Sequence, residues 1–322
     1  MNDTSVQTAE TAPVEMTMRQ ELAHGDAMIG TIGPILRHLL ANDEHSVFGD
    51  EIIAAIRGMM SDVARQLLDA GKSAAGGGDE PNHDPAQIAE LVVEFSSNPG
   101  FLAHIHALAL ESQLSSRLAS RMAIDPVLSP LLQALIASPE PQIAASAMAL
   151  LAAQARFVQS QRRMQLPLTE LPGDLLHIAL LAFQAHSADN PEAQSHAADA
   201  IAAVRASFDE GRSRLGLISR LVTGMGGGAT AALSVSHAGA AIFLSALALA
   251  SGQGRDLAVL ATNEGQVARL ALALRASGLR SETIEEQFVS LHPEVTLPGG
   301  FEQLGSDHAA ALLARSASFA GG

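Results

Sequence analysis

Apolar residues recur three and four positions apart along most of this chain, the spacing that lines one face of an α-helix. From 15 to 41 they fall at Met18, Leu22, Met28, Ile29, Ile32, Leu36, Leu39 and Leu40. Gly33-Pro34 inside that run is expected to kink or divide the helix, because proline lacks the N–H that the ladder needs. A second helix is predicted over 46–70 through Ile52, Ile56, Met59, Met60, Val63 and Leu67. The pair makes an N-terminal αα-hairpin over 15–73. Residues 74–84 contain Gly76-Gly77-Gly78 and Pro81, a composition that orders at a high entropic cost and buries little. They predict a flexible linker and a domain boundary near residue 80. The polar, acidic stretch 1–14 reads as a disordered tail.

After the linker the predicted helices shorten and prolines mark their starts. Asp84-Pro85 opens a helix over 85–95, a second follows over 100–122, and Asp125-Pro126 starts a third. Ser138-Pro139-Glu140-Pro141 separates that third helix from a fourth ending near Met164. The last two, over 127–155, resemble a HEAT or armadillo repeat: a leucine-rich helix, a proline turn, then a helix with apolar and Ala positions three and four apart. Such a pair buries its apolar face only by stacking on neighbours. Weaker echoes run over 175–204 around Asp189-Asn190-Pro191, upstream over 84–91, and in degenerate form over 257–274.

The expected fold is therefore all-α. A helical-repeat-like (HEAT/armadillo-type) stack of antiparallel helix pairs fills 85–292, preceded by the hairpin and followed by a loop and short helix over 293–322. The order of apolar helices and turns toward 291, with Gly278 placed to cap a helix C-terminus, is also similar to the tail of an all-helical family of unknown function found in alphaproteobacteria. That family carries HEAT-like pairs upstream. The resemblance spans 126–291. It implies a cytoplasmic bacterial protein and carries over no catalytic residue.

Composition changes this picture in three places. Aromatic residues are 3% of the chain, with no Tyr or Trp, so Ala and Leu must form the core; that favours closely packed helices over strands. A formal net charge of −15 argues against nucleic acid and anionic membranes as partners. The absence of cysteine removes disulfide and thiolate chemistry and suits a reducing cytoplasm, and 1–14 lacks the pattern of a signal peptide. Residues 229–250 carry no Asp, Glu, Lys or Arg and are long enough to span a membrane. Their Gly, Ser and His237 content, with no arginine cluster on one flank, favours a buried core helix entered after a turn near 236–239.

Candidate chemistry is sparse. His104 and Glu111 lie seven apart and share a helix face, whereas His104 and His106 point away from each other. Asp174 and His177 have helical ligand spacing, as do Glu192, His196 and Asp199, but solvated helix faces show the same spacing. No metal or cofactor site is expected. Gly224 and Gly226-Gly227-Gly228 have no lysine after them and no strand before them, so they read as a turn rather than a phosphate loop. Arg156, Gln159, Arg162 and Arg163 form a basic helix end that could dock an acidic partner; Arg205, Arg212, Arg214 and Arg220 read as a solvated face. The expected function is a non-catalytic protein–protein interaction scaffold or adaptor in a bacterial cytoplasm. One alternative is a carrier of an apolar ligand, using 229–250 and Met59-Met60. The other is a helical metal-dependent enzyme.

Overall fold

The computed structural model describes residues 3–41, 50–76, 83–188 and 190–316, with the backbone alone at 3–13 and Asp50. Among the described residues the regular structure is helical and no strand occurs. The helices are α1 (Asp3–Ala41), α2 (Asp50–Ala74), α3 (Pro85–Ser97), α4 (Pro99–Met122), α5 (Pro130–Ile136), α6 (Pro141–Arg162) and α7 (Gly173–His186). They continue as α8 (Pro191–Ser207), α9 (Arg214–Gly224), α10 (Val235–Ser251), α11 (Arg255–Leu260), α12 (Val267–Ala276), α13 (Ser281–Leu291) and α14 (Ser306–Ala314).

Their starts follow from the caps. Asp84, Ser129 and Asn190 each precede a proline in the first turn and accept a bond from the backbone of that turn: Ala86 N at 2.9 Å, Leu132 N at 3.3 Å and Glu192 N at 3.0 Å. The third post-linker helix begins later than its Asp125-Pro126 signal. The Asp125 carboxylate instead accepts from Val127 N and Leu128 N at 2.7 and 3.0 Å, holding a turn ahead of the Ser129 cap. The stretch 1–14, expected to be a disordered tail, belongs to α1 from Asp3 onward. Nor does Gly33-Pro34 divide α1. The residues that a helical proline crowds are the one before it and the one four before; here both are glycines, Gly33 and Gly30.

The chain separates into two compact units, and neither has a boundary near residue 80. The first is Met1–Ile32, Gln113–Met148 and Ile218–Gly322; the second is Gly33–Ser112 and Ala149–Leu217. The expected linker core, 77–82, lies outside the described residues, as do 317–322.

In the first unit α10 is the central helix, packed by α5, α11, α12 and α13. Residues 240–248 of α10 are all buried. The stretch 229–250 is thus mostly core. Among the described residues no single helix is long and apolar enough to cross a membrane, and the 3₁₀ segment Gly226–Leu233 meets α10 at 110°. The turn expected near 236–239 occurs at Gly239, whose φ of 71° is left-handed. A Cβ there would lie 3.1 Å from the Ser129 Cβ. Polar side chains tie the outer helices to α12. Gln266 Nε2 donates to the Gly25 carbonyl at 2.7 Å, and the fully buried Arg269 pairs with Asp26 and donates to Ser316 Oγ at 3.2 Å. Arg275 donates to the carbonyls of Leu279, Glu302 and Leu304, and Gly278 closes α12 in the left-handed conformation that its position predicted. His292 is buried beside Phe288. Burial holds its imidazole below the usual histidine value, and Arg117 acts in the same direction against the carboxylates of Glu294 and Glu264 and a backbone bond at Thr262.

In the second unit α2 packs on α3, α7 and α8, α3 packs on α7, and α7 and α8 pack on each other. Every residue from 101 to 110 in α4 is buried, so this part of the helix is enclosed on all sides. The segment after α6 is tied along α2. Asp62 Oδ2 accepts from Leu166 N at 3.0 Å, and Gln66 both donates to Leu166 O at 2.8 Å and accepts from Leu168 N at 3.0 Å. Backbone approach there is close: a Cβ on Gly58 would lie 2.6 Å from the Met164 Cβ.

Gly239→Ala should lower stability by about 1–3 kcal/mol, since it adds a strained φ to a tight contact; a urea midpoint unchanged from wild type would refute this account of the turn. A second test concerns pH. The folded His292 imidazole titrates below its unfolded value, so its contribution is complete above the usual histidine range. It is lost as pH falls through that range, because the unfolded chain binds the extra proton. His292→Gln should flatten the decline in thermal midpoint between about pH 7 and pH 5; an identical decline in both proteins would show that other groups cause it.

Candidate functional site

The polar interior of the second unit is built around Arg214, the first residue of α9 and fully buried. Its guanidinium grips the Glu111 carboxylate through two bonds, Nη1 to Oε1 at 2.6 Å and Nη2 to Oε2 at 3.0 Å. Nη1 also reaches Gln154 Oε1 at 3.4 Å, and the guanidinium carbon sits 3.7 Å over the Phe157 ring. The Arg214 backbone N–H donates to Glu170 Oε2 at 2.9 Å. Burial pushes the Glu170 carboxyl above the usual carboxylate range, against that bond and the charges of Arg214 and Arg156. Three segments of chain are thus fixed to one residue, two of them by its guanidinium and the third by its backbone N–H. All its donors face protein rather than solvent, so this geometry performs a structural task.

The sequence reading of Arg214 as part of a solvated face is therefore wrong. Its signal was present but unread: a cation at a helix N-terminus opposes the helix dipole and needs a compensating carboxylate. Glu111 supplied the matching signal, a carboxylate in a run of apolar neighbours. His104 and Glu111 are both buried on α4, and Glu111 is committed to Arg214. Asp174 and His177 are exposed in the first turns of α7, where His177 Nδ1 lies 3.3 Å from Arg205 Nη2. Among the described residues no three His, Asp or Glu are placed to hold a metal ion. Met59 and Met60, offered as a ligand groove, are fully buried core.

Arg156, Gln159, Arg162 and Arg163 are all exposed. At 100° per residue Arg156, Gln159 and Arg162 fall within a stripe of roughly 120° along the end of α6, and Arg163 follows in the turn that closes it. The backbone beneath them is held. Met164 takes the left-handed conformation (φ 55°) usually left to glycine, while Gln165 N donates to Ser160 O and Met164 N to Gln161 O, both at 2.9 Å.

A cleft of about 440 Å³ opens elsewhere in the second unit, among the ends of α2, α3, α7 and α8. Lys72, His83, His186 and His196 line it, over an apolar floor that includes Leu68 and Phe183. Sequence reading did not assemble these residues, because they come from four segments with no common spacing.

Comparison of the chain with protein-family models, curated proteins and solved structures finds no match.

Glu111→Gln should destabilise the protein by about 3–5 kcal/mol, since it leaves the Arg214 charge buried without its counter-charge. Glu111→Gln combined with Arg214→Met should recover much of that loss. Denaturant titration of the two singles and the double decides it; simple additivity would show that the pair does not act as a unit.

Proposed function

We propose that this protein is a non-catalytic binding protein that docks an acidic protein partner through Arg156, Gln159, Arg162 and Arg163. The observation that carries this reading is the exposed cationic stripe at the end of α6 in a chain of net charge −15. The stripe is also preorganised. Gln161 Nε2 contacts Met59 Sδ at 3.3 Å, and the chain beyond is fastened to Asp62 and Gln66, so little order remains to be imposed on docking. Exposed arginines offer planar donor forks to carboxylates and steer an acidic surface toward the contact.

The reading includes helix pairs of the HEAT or armadillo kind, and the resemblance to an alphaproteobacterial cytoplasmic family goes with it. What supports the pairs is α7 and α8, joined by a short connection, packed on each other and both laid on α2. The segment with the strongest repeat pattern behaves differently: α5 takes α10 as its partner.

The test is retention of a host protein on immobilised wild type against a variant carrying Arg156→Glu, Arg162→Glu and Arg163→Glu, with helicity checked by circular dichroism. Wild type should retain one specific acidic protein, more weakly as salt rises, and the variant less than about a tenth as much. Equal retention by both, or no specific retention by wild type, would sink the docking reading.

A further inference from the structure

We infer that the acidic partner of the arginine stripe is a second copy of this chain, and that the stripe docks on the outer face of that copy's α13. The inference rests on the docking reading and adds the identity of the partner.

α13 turns Ile284, Gln287, Phe288 and Leu291 inward and is fixed on α10, where Gln287 Oε1 accepts from Val235 N at 2.8 Å. Its opposite side carries Glu282, Glu285, Glu286 and Val289, all exposed. At 100° per residue these four fall within about 100° of the helix surface. Val289 is 68% exposed, the most of any large apolar side chain among the described residues, and the three glutamates surround it. No other described helix presents three carboxylates without an ion pair on one face. Like charges on adjacent turns repel one another, so a cationic surface of the same length relieves them.

The end of α6 is such a surface. Arg156, Arg162 and Arg163 close no ion pair among the described residues, and the exposed Met164 follows them. The lengths match: Glu282 to Val289 rises about 10.5 Å, and Arg156 to Arg162 about 9 Å. Laid parallel, Arg156 comes beside Glu282, Arg162 and Arg163 beside Glu285 and Glu286, and Met164 beside Val289. Planar guanidinium forks suit carboxylates in that setting.

Two copies of a chain with net charge −15 repel as wholes. At physiological salt that repulsion is screened beyond about 8 Å, whereas facing side chains meet within it. The contact uses a different face on each copy. One stripe and one α13 face therefore stay open after the first docking, and association continues past two copies.

Sedimentation velocity of the full chain at about 20–400 µM covers the weak range expected of exposed charge pairs. The mean mass of wild type should rise with concentration, and less steeply as salt is raised. Two reversal variants, with helicity checked by circular dichroism, separate the faces. One carries Arg156→Glu, Arg162→Glu and Arg163→Glu; the other carries Glu282→Arg, Glu285→Arg and Glu286→Arg. Each alone should stay monomeric, and an equal mixture should associate again, because each offers the face that the other lacks. The glutamate reversals also make the net charge of −15 less negative, so a non-specific association would grow in that variant rather than vanish. The inference is overturned if wild type stays monomeric throughout, if the glutamate variant associates as wild type does, or if the mixture stays monomeric. In the first of these cases, retention of a different acidic host protein through the stripe would still uphold docking, so the two readings fail separately.

Discussion

The second unit depends on how one buried positive charge is held. Removing a guanidinium from water costs several kcal/mol unless its donors are met, and Arg214 has no exposed surface. Glu111 from α4 supplies the counter-charge, Gln154 and Phe157 from α6 supply an acceptor and a ring face, and Glu170 holds the backbone at the start of α9. These contacts come from three separate stretches of chain, and shifting α4 along its neighbours strands the Arg214 charge. The arrangement sets a penalty against misplacement more than it adds net stability, because the attraction between the ions largely repays their desolvation.

The same device recurs in the first unit with different partners. Arg269 is as buried as Arg214 and answers Asp26, while Arg275 spends its donors on three carbonyls of the chain beyond α12. A planar fork with five donors can satisfy several fixed acceptors at once, which a lysine ammonium on a flexible stem does less well. All but one of the chain's 19 basic residues are arginine. Whatever set that ratio, the fold uses it.

Much of the helical plan was legible in the sequence because its causes are local. Asp84-Pro85, Asn190-Pro191 and Gly278 act through caps and backbone conformation within one turn, and all three mark helix ends. Apolar spacing likewise placed Met59, Met60 and Leu67 on a helix face that is buried, and the Gly, Ser and His237 content of 229–250, more than its lack of charge, pointed to the core helix whose residues 240–248 are buried. Of the four arginines read as a solvated face, Arg205, Arg212 and Arg220 are exposed and Arg214 was misread, because the signals it and Glu111 carry gain meaning only when the two are paired, 103 positions apart. The cleft was unreadable for a related reason. Lys72, His83, His186 and His196 meet only once α2, α3, α7 and α8 have packed, and no periodicity records that meeting. The arginine stripe on α6 is the exception, since helical spacing alone gathers it.

An interior of Ala and Leu explains why such polar ties are needed. Small and flexible apolar side chains make helix surfaces that fit one another at several offsets with similar burial, so packing alone separates the right register from its neighbours by a narrow margin. With aromatics at 3%, few large rings are available to act as shape keys. Charged and amide groups discriminate where shape does not. A one-turn slip of α6 in the second unit moves Gln154 and Phe157 away from Arg214 by about 5.4 Å. The Asp62 and Gln66 bonds to the chain after α6 add the same constraint a second time, at a different depth. The residues that make this unit unique are therefore its buried polar ones, while the Ala and Leu around them supply most of the driving force and little of the choice.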